Sequence, residues 1–562
     1  MKSSLRFFSK SPPVFSSNAC CEPRPLLAGI VSLLTTLALS ACGGGDGSVT
    51  SLFPTDPTQA TIDAGVVKGV QLDNVVSFKG IPFAAPPVGD LRWRAPQPVV
   101  PWSAIRVADR FGNDCMQTNA TTPGNPVSED CLYLNVWRPA SVPRAPLPVM
   151  VWVYGGGYVS GGASNPREDG AQFAKQGVIL VSFNYRLGRI GFFGHPALTA
   201  AATRSGEPLG NYGNMDQIAA LQWVQKNIAA FGGDPKNVTV FGESAGGESI
   251  HSLVTSPLAV NLFHKVINES GNGRVNQAYG RYLRPTPGAP LPSAEEQGVA
   301  FAAQFGITGT GDAALASLRG LSAKQLTDNP AIATFAGGAI IDGKVVPEEP
   351  EVLYSKGQFI KVPMLLGTND ADLGFAKPAT TKDEVFSIFG SGDLAAAKAA
   401  FDPQGTATVS QLRNQIGAVI TMHEPARFVA RAFTAQGQPA YLYRFSYVPD
   451  SLKSRLPGAT HALEIPFVFN NLEAGFGSGI TAADRQVAQT VQSCWVAFAK
   501  TGKPSVAGLP EWPVFNTAAN NLLEFTAAGD VQIRQPDTLK AQIDLIQPIN
   551  ERHVVVNTQY GL

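Results

Sequence analysis

The stretch Asn237-Val-Thr-Val-Phe-Gly-Glu-Ser-Ala-Gly-Gly247 decides the fold. Val238 to Phe241 form the β-branched and aromatic run of a buried strand, and Ala245 to Leu253 can continue as a helix. Between them Gly242-Glu243-Ser244-Ala245-Gly246 matches G-x-S-x-G. A strand that enters a helix through so sharp a turn strains the backbone of its middle residue, and glycines two positions away on either side remove side chains that would collide. The Ser244 hydroxyl is thereby lifted off the sheet edge. It sits at a helix N-terminus, where unpaired backbone N–H groups can stabilise a developing negative oxygen. In a chain with 57 glycines the pentapeptide alone is a weak signal, so the serine needs partners elsewhere.

Upstream, Val149 to Tyr154 and Val178 to Tyr185 are apolar throughout and read as central strands. The first runs into Tyr154-Gly-Gly-Gly-Tyr158, where three glycines let the backbone approach a ligand and aim N–H groups at it. A helix is expected from about Met215 to Ala230, on the mostly apolar stripe of Ile218, Leu221, Val224, Gln225 and Ile228, and Gly232-Gly-Asp-Pro235 stops it. Nearer the N-terminus, the Pro and Gly density between Val67 and Val100 excludes a long helix and predicts a small sheet followed by an extended segment. Glu129 to Trp137 then reads as a strand.

Seven segments carry a likeness to a known family: Gly80-Ile-Pro-Phe-Ala-Ala-Pro-Pro-Val-Gly89, Glu129-Asp-Cys-Leu-Tyr-Leu-Asn135, Tyr154-Gly-Gly-Gly157, Asn184-Tyr-Arg-Leu-Gly188, Gly210-Asn-Tyr-Gly-Asn-Met-Asp216, Phe231-Gly-Gly-Asp-Pro235 and Gly242-Glu-Ser-Ala-Gly-Gly247. In this order, over most of residues 65 to 272, the chain resembles the type-B carboxylesterase and cholinesterase family of α/β-hydrolases. The resemblance implies a large, mostly parallel twisted sheet flanked by helices, a small N-terminal antiparallel sheet, and helical insertions around an active-site gorge. It implies hydrolysis of a small-molecule carboxylic ester through an acyl-enzyme, with neither metal nor cofactor. The glycine loop takes the place of the family's oxyanion donor loop, with the N–H groups of Gly156, Gly157 and Ala245 as donors.

A serine hydroxyl attacks poorly until a base takes its proton, and that base needs a third group to orient it. In this fold the order is serine, acid, histidine, so His251 and His264 come too early. His461 lies in the turn-rich loop Pro457-Gly-Ala-Thr-His461, which resembles the family's histidine loop. His423 falls in a helical stretch beside Glu424 and Arg427 and reads as a solvated or packing residue, and His553 lies in the tail. The acid should follow the strand Val362 to Leu366. Aligned with the family's loop, Asp372 takes the acid's position, which is more often Glu. The shorter side chain must approach the imidazole more closely, and Asp370 is a rival.

Composition and address bound the rest. With 44% hydrophobic residues the chain can bury a large core, and its zero net charge without a basic patch argues against nucleic acid as a partner. Lys2, Arg6, Lys10 and Arg24 precede the apolar run Leu26 to Leu39, and Leu39-Ser-Ala-Cys42 resembles a bacterial lipobox. Residues 1–41 are therefore expected to be a signal peptide, Cys42 a lipid anchor and 42–64 a flexible tether. The body is a single domain over 65–550, and 551–562 a tail. An exported protein, held in a bacterial membrane only through Cys42, follows; the alternative is an ordinary signal peptide cut nearby. Export permits a disulfide, and Cys115 with Cys131 is the natural pair, worth about 3 kcal/mol by loop closure. Cys494 shares a helical face with Val487, Val491 and Phe498 and is read as a core thiol.

Residues 273–345 are expected to be mainly helical, on the capping-box patterns Ser293-Ala-Glu-Glu296 and Ser322-Ala-Lys-Gln325. Trp512-Pro-Val-Phe515 resembles the family's closing strand. A catalytically silent surface adhesion protein is the reading from another class, disfavoured because Ser244, His461 and a carboxylate at 372 are all present. Among enzymes a cholinesterase is disfavoured, since Met116 to Asp130 holds no aromatic residue to stack on a quaternary ammonium. A lipase-like or aromatic-ester and toxin-ester hydrolase stays open.

Overall fold

The serine-bearing strand lies near the middle of an eleven-stranded sheet in the computed structural model, which describes residues 56–552 except 119–120, 142–144, 275–280, 290, 328–337, 375 and 377. The strands in chain order are β1 (Gln59–Ile62), β2 (Gly65–Lys68), β3 (Val70–Leu72), β4 (Val75–Pro82), β5 (Arg106–Val107), β6 (Asp114–Cys115), β7 (Val127–Ser128), β8 (Tyr133–Pro139), β9 (Leu147–Val153), β10 (Ile179–Phe183), β11 (Gly233–Glu243), β12 (Lys265–Glu269), β13 (Met364–Asn369), β14 (Ala440–Phe445), β15 (Leu522–Phe525) and β16 (Val531–Arg534). The large sheet runs β16-β15-β14-β13-β12-β11-β9-β10-β8-β4-β3. Every neighbour pair from β10 to β15 is parallel. Antiparallel pairs close it on both sides. Strands covered by helices on both faces need apolar side chains on both, and Val149 to Val153 of β9 are fully buried.

In an open parallel sheet, ligands bind beyond the carboxyl ends of the strands. The glycine loop follows β9, Ser244 follows β11, Asp372 follows β13, and the His461 loop comes after β14. Beneath the elbow Trp152, Phe173, Phe241 and Phe469 form an aromatic cluster with ring centroids 4.7 to 5.8 Å apart. Phe469 belongs to the segment after His461, so this packing fastens the histidine loop to the serine strand. Two of the family-like segments meet in one contact: Arg186 forks onto buried Asp216 with bonds of 2.8 and 2.7 Å. The helix expected over Met215–Ala230 spans Tyr212–Asn227 and tightens into a 3-10 turn at Ile228–Phe231, before Gly232 at φ 85° ends it.

Several expectations need correction. The tether drawn to residue 64 ends sooner, because β1 pairs antiparallel with β2 from Gln59 onward. The small sheet β1-β2-β5 is mixed, since β5 joins β2 in parallel. Trp512 to Phe515 is not a strand: Phe515 N–H donates to the Ala440 carbonyl and Trp512 Nε1–H to the Leu442 carbonyl of β14, and β15 and β16 close the sheet. The expectation of a mainly helical 273–345 holds only in part: the helices Ala294–Ala303, Asp312–Arg319 and Ala323–Thr327 cover less than half of its described residues, and the Ser293 capping box is formed. Cys115 and Cys131 are joined, clipping the β6–β7 pair, and Cys494 is a buried free thiol. The signal peptide, Cys42 and residues 553–562 lie outside the described residues. No helix among the described residues is long and apolar enough to cross a membrane.

Candidate active site

Ser244 holds φ 56° and ψ −124°, a conformation that costs a non-glycine residue about 1–3 kcal/mol. Its surroundings over-determine it: Ser244 N–H donates to the Glu269 carbonyl at 3.0 Å, and its own carbonyl accepts from Glu248 N–H at 2.8 Å. The flanking glycines are required by closeness of backbone to backbone. A Cβ on Gly242 would stand 2.6 Å from the Val153 carbonyl oxygen, and one on Gly246 2.0 Å from the same atom. The elbow thus leans on the end of β9, the strand that carries the glycine loop.

The imidazole of His461 lies with Nε2 2.8 Å from Ser244 Oγ and Nδ1 2.7 Å from Asp372 Oδ1. Asp372 is fully shielded, while the imidazole keeps 21% of its side-chain exposure, so the chain of hydrogen bonds opens at the serine end. Ser270 O–H donates to Asp372 Oδ2 at 2.6 Å, Asn369 N–H to the same oxygen at 3.0 Å, and Leu373 N–H to Oδ1 at 2.7 Å. Burial works against the charge of Asp372, but the facing histidine and these donors outweigh it and hold the carboxyl below its usual range.

Asp370, the rival, turns away from the ring and accepts Ala459 N–H at 2.6 Å, with burial raising its carboxyl to about 6. The short reach of an aspartate is met because the two loops pair directly: Ala371 N–H donates to the Ala459 carbonyl at 3.0 Å. His423 is buried rather than solvated and shares a 2.7 Å hydrogen bond with Thr368 Oγ1.

Sequence reasoning passed over Glu243, the x of the pentapeptide. Its Oε1 lies 3.3 Å from His461 Nε2, and the side chain is 3% exposed. Burial pushes the Glu243 carboxyl well above the usual range. For His461 burial disfavours the charged ring, yet Glu243 first and Asp372 second pull its proton affinity upward. The two groups compete for one proton: with it on Glu243, the larger of the two charges that raise His461 is gone and the imidazole holds a proton less tightly. Ser270 and Asn369 were also missed, since a serine hydroxyl or a backbone N–H at the end of a buried strand carries no local signature.

Behind the serine, Gly156 and Gly157 take φ 99° and 61°. The Gly156 carbonyl accepts Val159 and Ser160 N–H, both at 3.1 Å, which curls the loop. A Cβ on Gly155 would meet the Ser244 Cβ at 2.9 Å, so the loop lies against the elbow. Among the described residues no acceptor takes the N–H of Gly156, Gly157 or Ala245.

A doubly flanked, mainly parallel sheet with a strained serine elbow, a histidine loop and a glycine loop at its carboxyl edge defines an α/β-hydrolase. The sequence profile of the Carboxylesterase family matches residues 56–542, and the chain belongs to that family. It is 38% identical over 473 residues to a fumonisin B1 esterase of Sphingopyxis macrogoltabida, covering 80% of this chain and 83% of the other. It is 36% identical over 504 residues to a para-nitrobenzyl esterase of Bacillus subtilis, covering 86% and 97%. A solved PNB esterase structure superposes with a TM-score of 0.72 at 32% identity, covering 87% of this chain and all of that one. The chain is a carboxylic ester hydrolase, and the silent adhesion reading is set aside.

Proposed function

We propose that this protein hydrolyses small carboxylic esters by a serine acyl-enzyme mechanism with Ser244 as nucleophile, His461 as base and Asp372 as the orienting acid. The observation that carries it is the unbroken chain Ser244 Oγ, His461 Nε2, His461 Nδ1, Asp372 Oδ1, with steps of 2.8 and 2.7 Å. The neutral imidazole takes the hydroxyl proton as Oγ attacks the ester carbonyl, and Asp372 fixes the tautomer and steadies the imidazolium. The N–H groups of Gly156, Gly157 and Ala245 receive the oxyanion; one such donor is worth about 3–4 kcal/mol of barrier. The imidazolium then protonates the leaving alcohol, and water attacks the acyl-enzyme through the same histidine. Glu243, in its neutral form, favours an uncharged base before the attack.

Ser244→Ala should abolish turnover of a p-nitrophenyl ester while leaving the melting temperature within a few degrees, and should lose labelling by a fluorophosphonate. Full activity in this variant would end the proposal. Export and lipidation at Cys42 form a second, separate proposal, supported by the basic n-region, the apolar run and Leu39-Ser-Ala-Cys42. Metabolic labelling with palmitate should mark the wild type and not Cys42→Ser; equal labelling of both would refute it.

A further inference from the structure

Along the elbow and the helix Ala245–Thr255, two side chains alone are less than fully buried: Ser244 and Glu248. Glu248 stands one turn along the helix from the serine, its N–H on the Ser244 carbonyl at 2.8 Å. Helical side chains lean toward the N-terminus, and residues four apart share a face with Cβ atoms about 5–6 Å apart. Glu248, in the first turn of that helix, therefore leans back toward the elbow, and like Ser244 it is partly open to solvent.

Its position is braced from two sides. Asn272 donates Nδ2–H to Glu248 Oε1 at 2.6 Å, two residues after the Ser270 that holds Asp372. Tyr158, directly after the glycine loop, hydrogen-bonds to it as well, and the charge of His461 acts on the Glu248 carboxyl. Both of these partners are uncharged, an amide and a phenol, and both orient the carboxyl group.

Resting on the Ser244 mechanism above, we propose that Glu248 is a specificity-determining residue that forms a negatively charged wall of the substrate cavity. It selects esters that carry an ammonium group about one helical turn, 5–6 Å, from the reacting carbonyl and rejects those that carry a carboxylate there.

The test compares three p-nitrophenyl esters of one shape class: the 4-(trimethylammonio)butanoate, its uncharged isostere the 5,5-dimethylhexanoate, and the adipate monoester. The same three charges are also placed on the alcohol side of acetate esters. Assays run at pH 8.5, above the value of about 7 to which burial raises Glu248. In the wild type, kcat/KM should favour the cationic over the uncharged ester by about tenfold in at least one series, with the anionic ester lowest. In Glu248→Gln both ratios should collapse toward one, the anionic ester gaining and the cationic ester losing.

A purely structural role would move all three esters together and leave the ratios in place, which overturns the inference. Wild-type ratios near one in both series overturn it without any variant, so a poorly folding Glu248→Gln does not shield it. If the wild type hydrolyses none of the uncharged esters, the Ser244 mechanism has failed and the inference falls with it.

Discussion

Replacing Asp372 by Asn changes one atom and tests the site at its least obvious point. Oδ1 of Asp372 faces His461 Nδ1 and Leu373 N–H, and Oδ2 faces Ser270 O–H and Asn369 N–H. An amide must turn its NH2 toward one pair or the other. Turned to the first, it forces the imidazole to accept at Nδ1 and carry its proton on Nε2, where it can no longer take one from Ser244. Turned to the second, it leaves Asn369 N–H without an acceptor, at about 1–3 kcal/mol for a buried donor. Either orientation removes the charge that stabilises the imidazolium. A comparable change in a serine triad lowers kcat about 10⁴-fold, which is about 5 kcal/mol of barrier.

Asp370→Asn is the matched control. Its carboxylate accepts a backbone N–H that an amide oxygen can accept equally, so the loss should stay within about fivefold, the worth of one ordinary hydrogen bond. Steady-state kcat on a p-nitrophenyl ester, with a thermal melt for each variant, decides between them. If Asp372→Asn retained more than about a tenth of wild-type kcat, or if Asp370→Asn lost as much, the assignment of the acid would be refuted.

Gly246→Ala places a Cβ 2.0 Å from the Val153 carbonyl oxygen, so the elbow and β9 must part. Loss of about 1–3 kcal/mol and of fluorophosphonate labelling is expected, read by urea unfolding and gel labelling. Cys131→Ser opens the loop closed by Cys115 and should cost about 3 kcal/mol, measured in urea under non-reducing conditions.

The buried carboxyls Glu168, Glu269 and Glu464 are raised by burial to about 7, 8 and 8. Their folded values exceed those of the unfolded chain, so between about pH 4.5 and 8 the native state binds more protons and stability falls as pH rises. Calorimetry should show a melting temperature lower at pH 9 than at pH 6. Glu269→Gln, which keeps an acceptor for Trp495 Nε1–H, should flatten that slope by roughly 2 °C or more. A melting temperature that rises over this range would contradict the burial argument.

The elbow was legible because its rule is local: a strand, a turn too tight for side chains, and a helix, all within eleven consecutive residues. The disulfide and the core thiol were legible for similar reasons, from short loop closure and helical spacing. Trp512–Phe515 was misread because an apolar run resembles a strand whether or not a sheet edge is free to receive it, and that edge is taken by β15. The tether was drawn too long because β1 has little signature of its own; it becomes a strand by pairing with β2.

The chain by itself named the serine, the histidine loop and the glycine loop, since glycine spacing and turn composition act on neighbouring residues. Only the tertiary structure set Asp372 rather than Asp370 against His461 and brought Glu243, Ser270 and Glu248 to the same edge. Those choices depend on contacts that span 217 positions from Ser244 to His461 and 89 from Asp372 to His461. Such distances close only when the parallel strands stack in their folded order, and nothing in the local sequence carries that order.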